Sequence, residues 1–298
     1  MSFQKFKYKI LKYFFKNRKK LLWTLSNNLI SETLFPPTVS VINLKQNTYI
    51  GNKDEKIFLR NDSYLAWYVF NNDNIYQDVV IKICRFLRND QDYNLIDIGA
   101  NTGLLARCLL RHNKNIKKCY LIEPDEDNFF CIKNNLMNFN NIFLYNYALD
   151  IEDGCKKLFI DQNNKANLSF NFEMMKRKED KLNFMNVEDK YKIVKCKSTE
   201  NFFSEIYDNN KNIIKIDAQG YDENIFQEIP ENILRNTSLL MIEVTPLLTK
   251  SFDNEKFTKK LKCFKKYYDF NSNELKIDDI QKLVSLKSGK SFDLFFLN

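Results

Sequence analysis

The hydrophobic and polar positions of this chain follow a regular alternation from about residue 90 onward. Short apolar runs, typical of buried strands, alternate with segments whose apolar residues recur at helical spacing. The predicted strands are 94–98, 119–123, 142–147, 212–217 and 238–244, and the predicted helices are 102–112, 126–139, 222–229 and 254–266. Strands and helices in alternation predict an α/β fold with a doubly wound, mostly parallel sheet.

The two ends of the chain extend this pattern. The β-like runs Lys265–Asn271 and Ser291–Leu297 predict a C-terminal antiparallel hairpin, which brings the sheet to seven strands. Residues 1–30 read as helical and basic, and short β-like stretches follow up to residue 60. We therefore predict an N-terminal extension over residues 1–60 and one α/β domain over residues 61–298.

Between residues 150 and 200 the alternation breaks. Three short predicted strands, Lys156–Asp161, Leu168–Phe172 and Lys192–Cys196, surround the charged stretch Glu173–Lys190. A segment of this kind can form a lid over a site, or it can be a solvated surface excursion. The sequence leaves both interpretations open.

Cysteine and histidine usage narrows the possible chemistry. The seven cysteines are scattered and form no CxxC pair, which indicates reduced thiols in a cytosolic compartment and argues against disulfides or structural zinc. The single histidine, His112, excludes a histidine-rich metal centre. We find no long apolar run that predicts a membrane span and no signal-peptide pattern.

The positive charge is concentrated at the N-terminus. Of the 46 basic residues, eight precede Glu32, which leaves 38 basic and 38 acidic residues in the remainder. In residues 1–23 apolar residues recur between lysines at helical spacing, a pattern that can bind the surface of an anionic membrane. The alternative is a helix that packs on the body or a frayed end. The balanced body argues against a nucleic-acid partner.

The clearest chemical signal is a glycine-containing turn after the strand 94–98. Gly99 and Gly103 allow a tight turn and close approach of a ligand to the backbone, and the next helix offers free N–H groups. The following strand ends at Glu123, 20 residues after Gly103, where a carboxylate can reach ribose hydroxyls. The pattern indicates an adenosine-type ligand. Asn101 occupies the second glycine position of the dinucleotide-binding motif, so that motif is not matched.

The sequence D-I-G-A-N-T-G at 97–103 resembles motif I of S-adenosylmethionine-dependent class I methyltransferases, and of the FkbM family in particular. Four further motifs similar to those of this family follow in order: E-P-D-E-D-N-F at 123–129, A-L-D-I-E-D-G at 148–154, K-I-D-A-Q-G-Y-D at 215–222 and L-M-I-E-V at 240–244. The resemblance covers about residues 75–245. It implies a Rossmann-like fold, S-adenosyl-L-methionine as cofactor and methyltransferase activity.

The resemblance also implies site residues. The methionine portion of the cofactor would be surrounded by Asp97, Gly99, Asn101 and Gly103, its ribose would be bound by Glu123, and its adenine would be bordered by Asp125, Ala148 and Leu149. The substrate would be faced by Asn167, Ser169 and Gln219. Two positions depart from the family pattern, because Asp222 replaces a glutamate and Gln219 carries an amide instead of a carboxylate.

Asp217 is the predicted catalytic residue. It ends the fourth strand of the pattern, where open α/β sheets place their chemistry, and a carboxylate there can assist deprotonation of a hydroxyl nucleophile. A structural or amine-binding acid is an equal alternative. For Lys215 the alternation favours a surface or charge-pairing role. No metal is required, because a sulfonium methyl group is already activated.

Together these features predict a methyltransferase that acts on a hydroxyl of a sugar, a glycan or a related metabolite. We expect it in the cytoplasm, with peripheral contact to the inner membrane face through residues 1–23. Two alternatives stay open. One is an NAD-dependent oxidoreductase on the same layout, and the other is a catalytically silent scaffold that binds cofactor or glycan.

Overall fold

A computed structural model describes residues 29–30, 39–44, 46–60, 65, 69, 74–160, 168–170, 191–245, 253–285 and 291–298. In chain order the strands are β1 (Leu29–Ile30), β2 (Val39–Asn43), β3 (Lys56–Arg60), β4 (Tyr93–Ile98), β5 (Ile116–Ile122), β6 (Ile142–Tyr145), β7 (Ala148–Asp150), β8 (Gly154–Ile160), β9 (Leu168–Ser169), β10 (Tyr191–Ser198), β11 (Lys211–Ile216), β12 (Thr237–Val244), β13 (Lys266–Asp269), β14 (Glu274–Leu275) and β15 (Phe292–Leu297). The helices of these segments are α1 (Gln77–Phe86), α2 (Leu104–His112), α3 (Glu126–Asn135), α4 (Thr199–Ile206), α5 (Asp222–Glu228), α6 (Glu231–Arg235), α7 (Asn254–Leu261) and α8 (Ile277–Ser285).

The central sheet has eight strands in the order β14-β13-β15-β12-β11-β4-β5-β6. Strand β4 pairs in parallel with β5 and β11, and β15 pairs antiparallel with β12 and β13. The predicted mostly parallel, doubly wound sheet with an antiparallel C-terminal pair is confirmed. The eighth strand, β14, has only two residues and escapes the sequence pattern. Strand order reverses between β4 and β11, which opens a crevice at their carboxyl ends.

Both faces of the central sheet are buried, which explains its continuous apolar runs. All six residues of β4 are buried. Leu95 belongs to the core cluster that contains Leu109 of α2, whereas its neighbour Ile96 belongs to the cluster that contains Phe226 of α5. A charged side chain in the middle of such a strand therefore faces packed helices instead of solvent.

A second, four-stranded sheet, in the order β7-β10-β8-β9, forms the insertion. Strand β10 pairs in parallel with β7 and antiparallel with β8, which confirms the short strands predicted in this region. Its inner face carries the apolar cluster Leu158, Leu168 and Val194. The charged stretch Glu173–Lys190, which the sequence offers as a possible lid, lies outside the described residues.

The described part of residues 1–60 packs on the α/β domain. Strands β1, β2 and β3 form an antiparallel sheet, and the Asn135 side chain of α3 exchanges hydrogen bonds of 2.8 Å with both backbone groups of Phe58 in β3. A domain boundary at residue 60 stays a prediction, and the predicted basic helix over residues 1–23 lies outside the described segments. Within those segments no helix is long and apolar enough to cross a bilayer.

Candidate functional site

The turn after β4 has a backbone that few residues can adopt. Gly99 and Gly103 have φ values of 73° and 75°, and Asn101, between them, has a φ of 54°. Glycine adopts this left-handed region without strain, and asparagine is among the residues that tolerate it best. A Cβ atom on Gly99 would lie 2.0 Å from the carbonyl oxygen of Asp217, so the turn also approaches β11 too closely for any side chain.

Glu123 lies at the end of β5, beside this turn. Its buried carboxylate accepts hydrogen bonds from the backbone N–H of Asn101 at 2.8 Å and of Asp125 at 2.9 Å. Burial raises the pKa of Glu123 to about 8, although both backbone hydrogen bonds favour the ionised form. The structure therefore holds a carboxyl group of perturbed acidity at the position that the sequence predicts.

A cavity of about 330 Å³ lies above the carboxyl ends of β4, β5 and β11. Seven of the predicted site residues line it: Gly99, Asn101, Glu123, Ala148, Leu149, Asp217 and Gln219. The roof comes from the insertion, through Leu158, Leu168 and Phe170. Asp97, Gly103 and Ser169 lie behind the wall, and Asn167 lies outside the described residues. The motifs predicted separately along the chain thus converge on one cavity.

Asp125 differs from these residues, because it does not line the cavity. It is the N-cap of α3, where it accepts hydrogen bonds from the backbone N–H of Asp127 and of Asn128, each at 3.1 Å. Its buried carboxylate also pairs with Arg60 at 2.9 Å and with Lys192 at 2.8 Å. A carboxylate occupied by a helix terminus and two cations stabilises the scaffold, and its place beside an adenine stays a prediction.

Lys215 is buried, lies in the wall of the cavity and pairs with charged groups there. Its Nζ lies 3.1 Å from Asp97 Oδ1 and 3.5 Å from Asp217 Oδ2, and it donates a 2.8 Å hydrogen bond to the carbonyl of Gly99. Burial by itself lowers the pKa of Lys215, but the two carboxylates outweigh it and hold that pKa above its ordinary value. The charge-pairing role is right and the surface role is wrong, because the side chain is buried among Asp97, Asp217 and the turn at Gly99.

Asp217 presents its side chain to the cavity. The side chain is 40% exposed, and its Oδ1 accepts a 2.8 Å hydrogen bond from the Gln219 amide. The backbone carbonyl of Gln219 in turn accepts a 2.6 Å hydrogen bond from Ser169 Oγ of β9. Gln219 therefore connects the candidate catalytic carboxylate with the insertion.

Asp222 supports this loop from below. Its two carboxylate oxygens accept hydrogen bonds from the backbone N–H of Ala218 at 2.6 Å and of Gly220 at 2.9 Å. Among the described residues no group of three or more His, Cys, Asp or Glu side chains is placed to hold a metal ion. Asp222, which stands where the family pattern has glutamate, therefore still provides a carboxylate that holds the loop 218–220 by two hydrogen bonds.

Tyr76, Glu243 and Asp293 complete the wall beyond Asp217. Glu243 of β12 lies opposite Asp293 of β15 in the strand register. In the neighbouring pair of strands Ile216 lies opposite Ile242, so Asp217, the next residue, falls in the same row across the sheet. Burial raises the pKa of Asp293 to about 6, and the Asp217 carboxylate adds to this rise. Tyr76 precedes α1 with a φ of 62°. No motif marks Tyr76 or Asp293, whereas the L-M-I-E-V strand contains Glu243.

Comparison with known proteins identifies the family. Residues 97–270 match the family described as Methyltransferase FkbM domain. A search of curated proteins gave no significant match. A methyltransferase FkbM from Methylobacillus flagellatus KT is similar in structure over 69% of this chain and 43% of its own, with 12% identity and a TM-score of 0.36. A precorrin-6y C5,15-methyltransferase from Geobacter metallireducens GS-15 is similar over 74% and 88%, with 10% identity and a TM-score of 0.36.

The chain spans less than half the length of the first of these two structures. The comparisons give no support to the NAD-dependent oxidoreductase that the sequence left open. The matched segment contains more than half of the residues and all five motifs. The chain therefore belongs to the FkbM methyltransferase family, whose methyl donor is S-adenosylmethionine.

Proposed function

We propose that this protein transfers a methyl group from S-adenosylmethionine to a hydroxyl group of a sugar or glycan, with Asp217 as the general base. The observation that carries this proposal is the position of Asp217. Its accessible carboxylate lies on the wall of the cavity, next to the glycine turn, and Gln219 fixes its orientation. A hydroxyl nucleophile needs such a proton acceptor within hydrogen-bond reach.

The residues of the cavity fit S-adenosylmethionine. The turn at Gly99 and Asn101 presents its backbone to the cavity, Glu123 offers a carboxylate to ribose hydroxyls, and Ala148 and Leu149 form an apolar surface suited to a base. Below them Asp97 is buried, and its Oδ2 accepts no hydrogen bond from the described residues. When bound, the cofactor supplies a methyl group that its sulfonium has already activated.

The chain's own residues then orient the acceptor and exclude water. Leu158, Leu168 and Phe170 close the cavity from above, which lowers the local dielectric and limits competing hydrolysis. The carboxylate of Asp217 takes the proton of the attacking hydroxyl. Glu243 and Asp293 in the same row offer further oxygens to neighbouring hydroxyls, which suits an acceptor with several of them.

The Asp217→Asn variant is expected to lower the rate of methyl transfer by about 10²–10⁴-fold, because an amide cannot accept the proton. We expect its affinity for S-adenosylmethionine to change by less than about threefold, since the amide retains the shape of the side chain. Transfer of radiolabelled methyl groups to a panel of hydroxylated glycosides, with calorimetric titration of the cofactor, measures both quantities. The exposed Asp92, changed to Asn, is the matched control. Equal transfer rates in the three proteins would refute the role of Asp217.

The affinity for S-adenosylmethionine is expected to increase as the pH rises from about 6 to 8 and to level off above that range. In the free protein the pKa of Glu123 is about 8, so at lower pH the carboxyl must lose a proton before it can accept bonds from ribose hydroxyls. Calorimetry across this range in two buffers of different ionisation enthalpy measures both the affinity and the released proton. Glu123→Gln should bind more weakly and without this pH dependence. An affinity that is flat in the unmodified protein would contradict the linkage.

A further inference from the structure

The insertion sheet has an outer face with an unusual composition. In the paired strands β8 and β10, Leu158 and Val194 point inward and are buried, whereas the alternate positions are exposed. We define the outer face by its exposed residues, which are Cys155, Lys157, Tyr191, Ile193 and Lys195. It lies one sheet thickness from the cavity, because Leu158 of the inner face lines that cavity.

Two large apolar side chains stand side by side with cations on the outer face. Ile193 is 62% exposed and Tyr191 is 44% exposed, although a sheet with one buried face ordinarily presents polar residues on the other. Lys157 pairs with Ile193 across the strands, and its Nζ lies 4.3 Å from the centre of the Tyr191 ring. Exposed apolar residues that cluster in this way mark a contact surface.

The charge of the outer face has one sign. The other three lysines of these strands pair with carboxylates: Lys156 with Asp150, Lys192 with Asp125 and Lys197 with Glu205. Lys157 and Lys195 form no ion pair with any described residue, and the outer face has no carboxylate. A partner that offers negative charge together with an apolar phase would complement these five residues.

We propose that the outer face docks on an anionic lipid surface. Ile193 and Tyr191 enter the boundary between headgroups and acyl chains, and Lys157 and Lys195 contact lipid phosphates. A second copy of the same face would bring like charges together. Nucleic acid would satisfy the lysines but would leave the exposed side chain of Ile193 without an apolar environment. Docking would suit an acceptor carried on a lipid, and this consequence rests on the function proposed above. The docking itself does not depend on that function.

Co-sedimentation of the full chain with vesicles tests this proposal. The unmodified protein should sediment with vesicles of phosphatidylcholine and phosphatidylglycerol, and less with phosphatidylcholine alone. Ile193→Ser and the double variant Lys157→Glu/Lys195→Glu should each lower the partition coefficient by about tenfold or more. The matched controls are Met137→Ser, a side chain 70% exposed elsewhere, and Lys262→Glu/Lys265→Glu, which should leave the partition unchanged.

Three results would overturn the proposal. The first is that the unmodified protein sediments with neither vesicle. The second is that the variants and the unmodified protein partition equally. The third is that the variants still bind vesicles but lose binding to a single-stranded RNA oligomer or lose self-association. Equal partition would mean that the basic N-terminal segment alone binds the membrane. Thermal unfolding and calorimetric binding of S-adenosylmethionine check the fold of each variant. A failure of the unmodified protein to bind the cofactor would contradict the proposed function without changing the vesicle result.

Discussion

The Gly99→Ala variant is expected to lose binding of S-adenosylmethionine and about 3–5 kcal/mol of unfolding free energy. The new Cβ would lie 2.0 Å from the carbonyl oxygen and 2.9 Å from the carbonyl carbon of Asp217, in a conformation with a φ of 73°. Asp217 cannot move away freely, because its N–H donates to the carbonyl of Ile98 at 3.1 Å in the pairing of β4 with β11. The strands must therefore separate at the cavity.

Urea unfolding and calorimetric titration measure the two losses. Gly154→Ala is the matched control, because nothing lies within 4 Å of its added Cβ and no positive φ disfavours a side chain there. We expect that variant to keep cofactor affinity and to change stability by less than about 1 kcal/mol. A Gly99→Ala protein that binds the cofactor as tightly as the control variant would show that the turn has a different role.

The sequence predicted most reliably the position of those site residues that directly follow or end a strand. In a parallel sheet the carboxyl ends of neighbouring strands meet at one edge, so Gly99, Glu123 and Asp217 converge once the strands are known. Asp125, only two residues beyond Glu123, caps α3 and does not line the cavity. A residue after a strand can face a ligand or cap the next helix, and the sequence pattern is the same in both cases. The environment of Lys215 was uncertain because alternation gives the face of a strand and not what covers that face.

Other parts of the site depend on contacts between distant segments. Asp293 reaches the cavity only because β15 inserts beside β12 in an antiparallel register, which no local pattern specifies. Helix α8 was missed although Ile277, Ile280 and Val284 recur at helical spacing. That signal was present in the sequence and could have been used. The position of Tyr76 depends on a left-handed residue before α1, for which a tyrosine gives no warning.

Lys215→Met is expected to reduce the unfolding free energy by about 3–5 kcal/mol, because it leaves the buried Asp97 without its cation. Burial raises the pKa of Asp97 and Lys215 opposes that rise, so removing Lys215 raises the pKa further. A carboxyl whose pKa is higher in the folded state stabilises the fold at low pH and loses that contribution as the pH rises through the folded-state pKa. The deficit should therefore be smaller near about pH 5 than near about pH 8, as measured by urea unfolding.

The double variant Asp97→Asn/Lys215→Met separates the stability of the buried pair from its function. Removing both charges should restore most of the lost stability, because no uncompensated charge stays buried. Both Lys215→Met and the double variant should bind S-adenosylmethionine more weakly than the unmodified protein, since Lys215 also donates to the carbonyl of Gly99 and so fixes the turn. The exposed Lys262, changed to Met, controls for loss of a lysine. Recovery of both stability and cofactor affinity in the double variant would show that Lys215 serves only to neutralise Asp97.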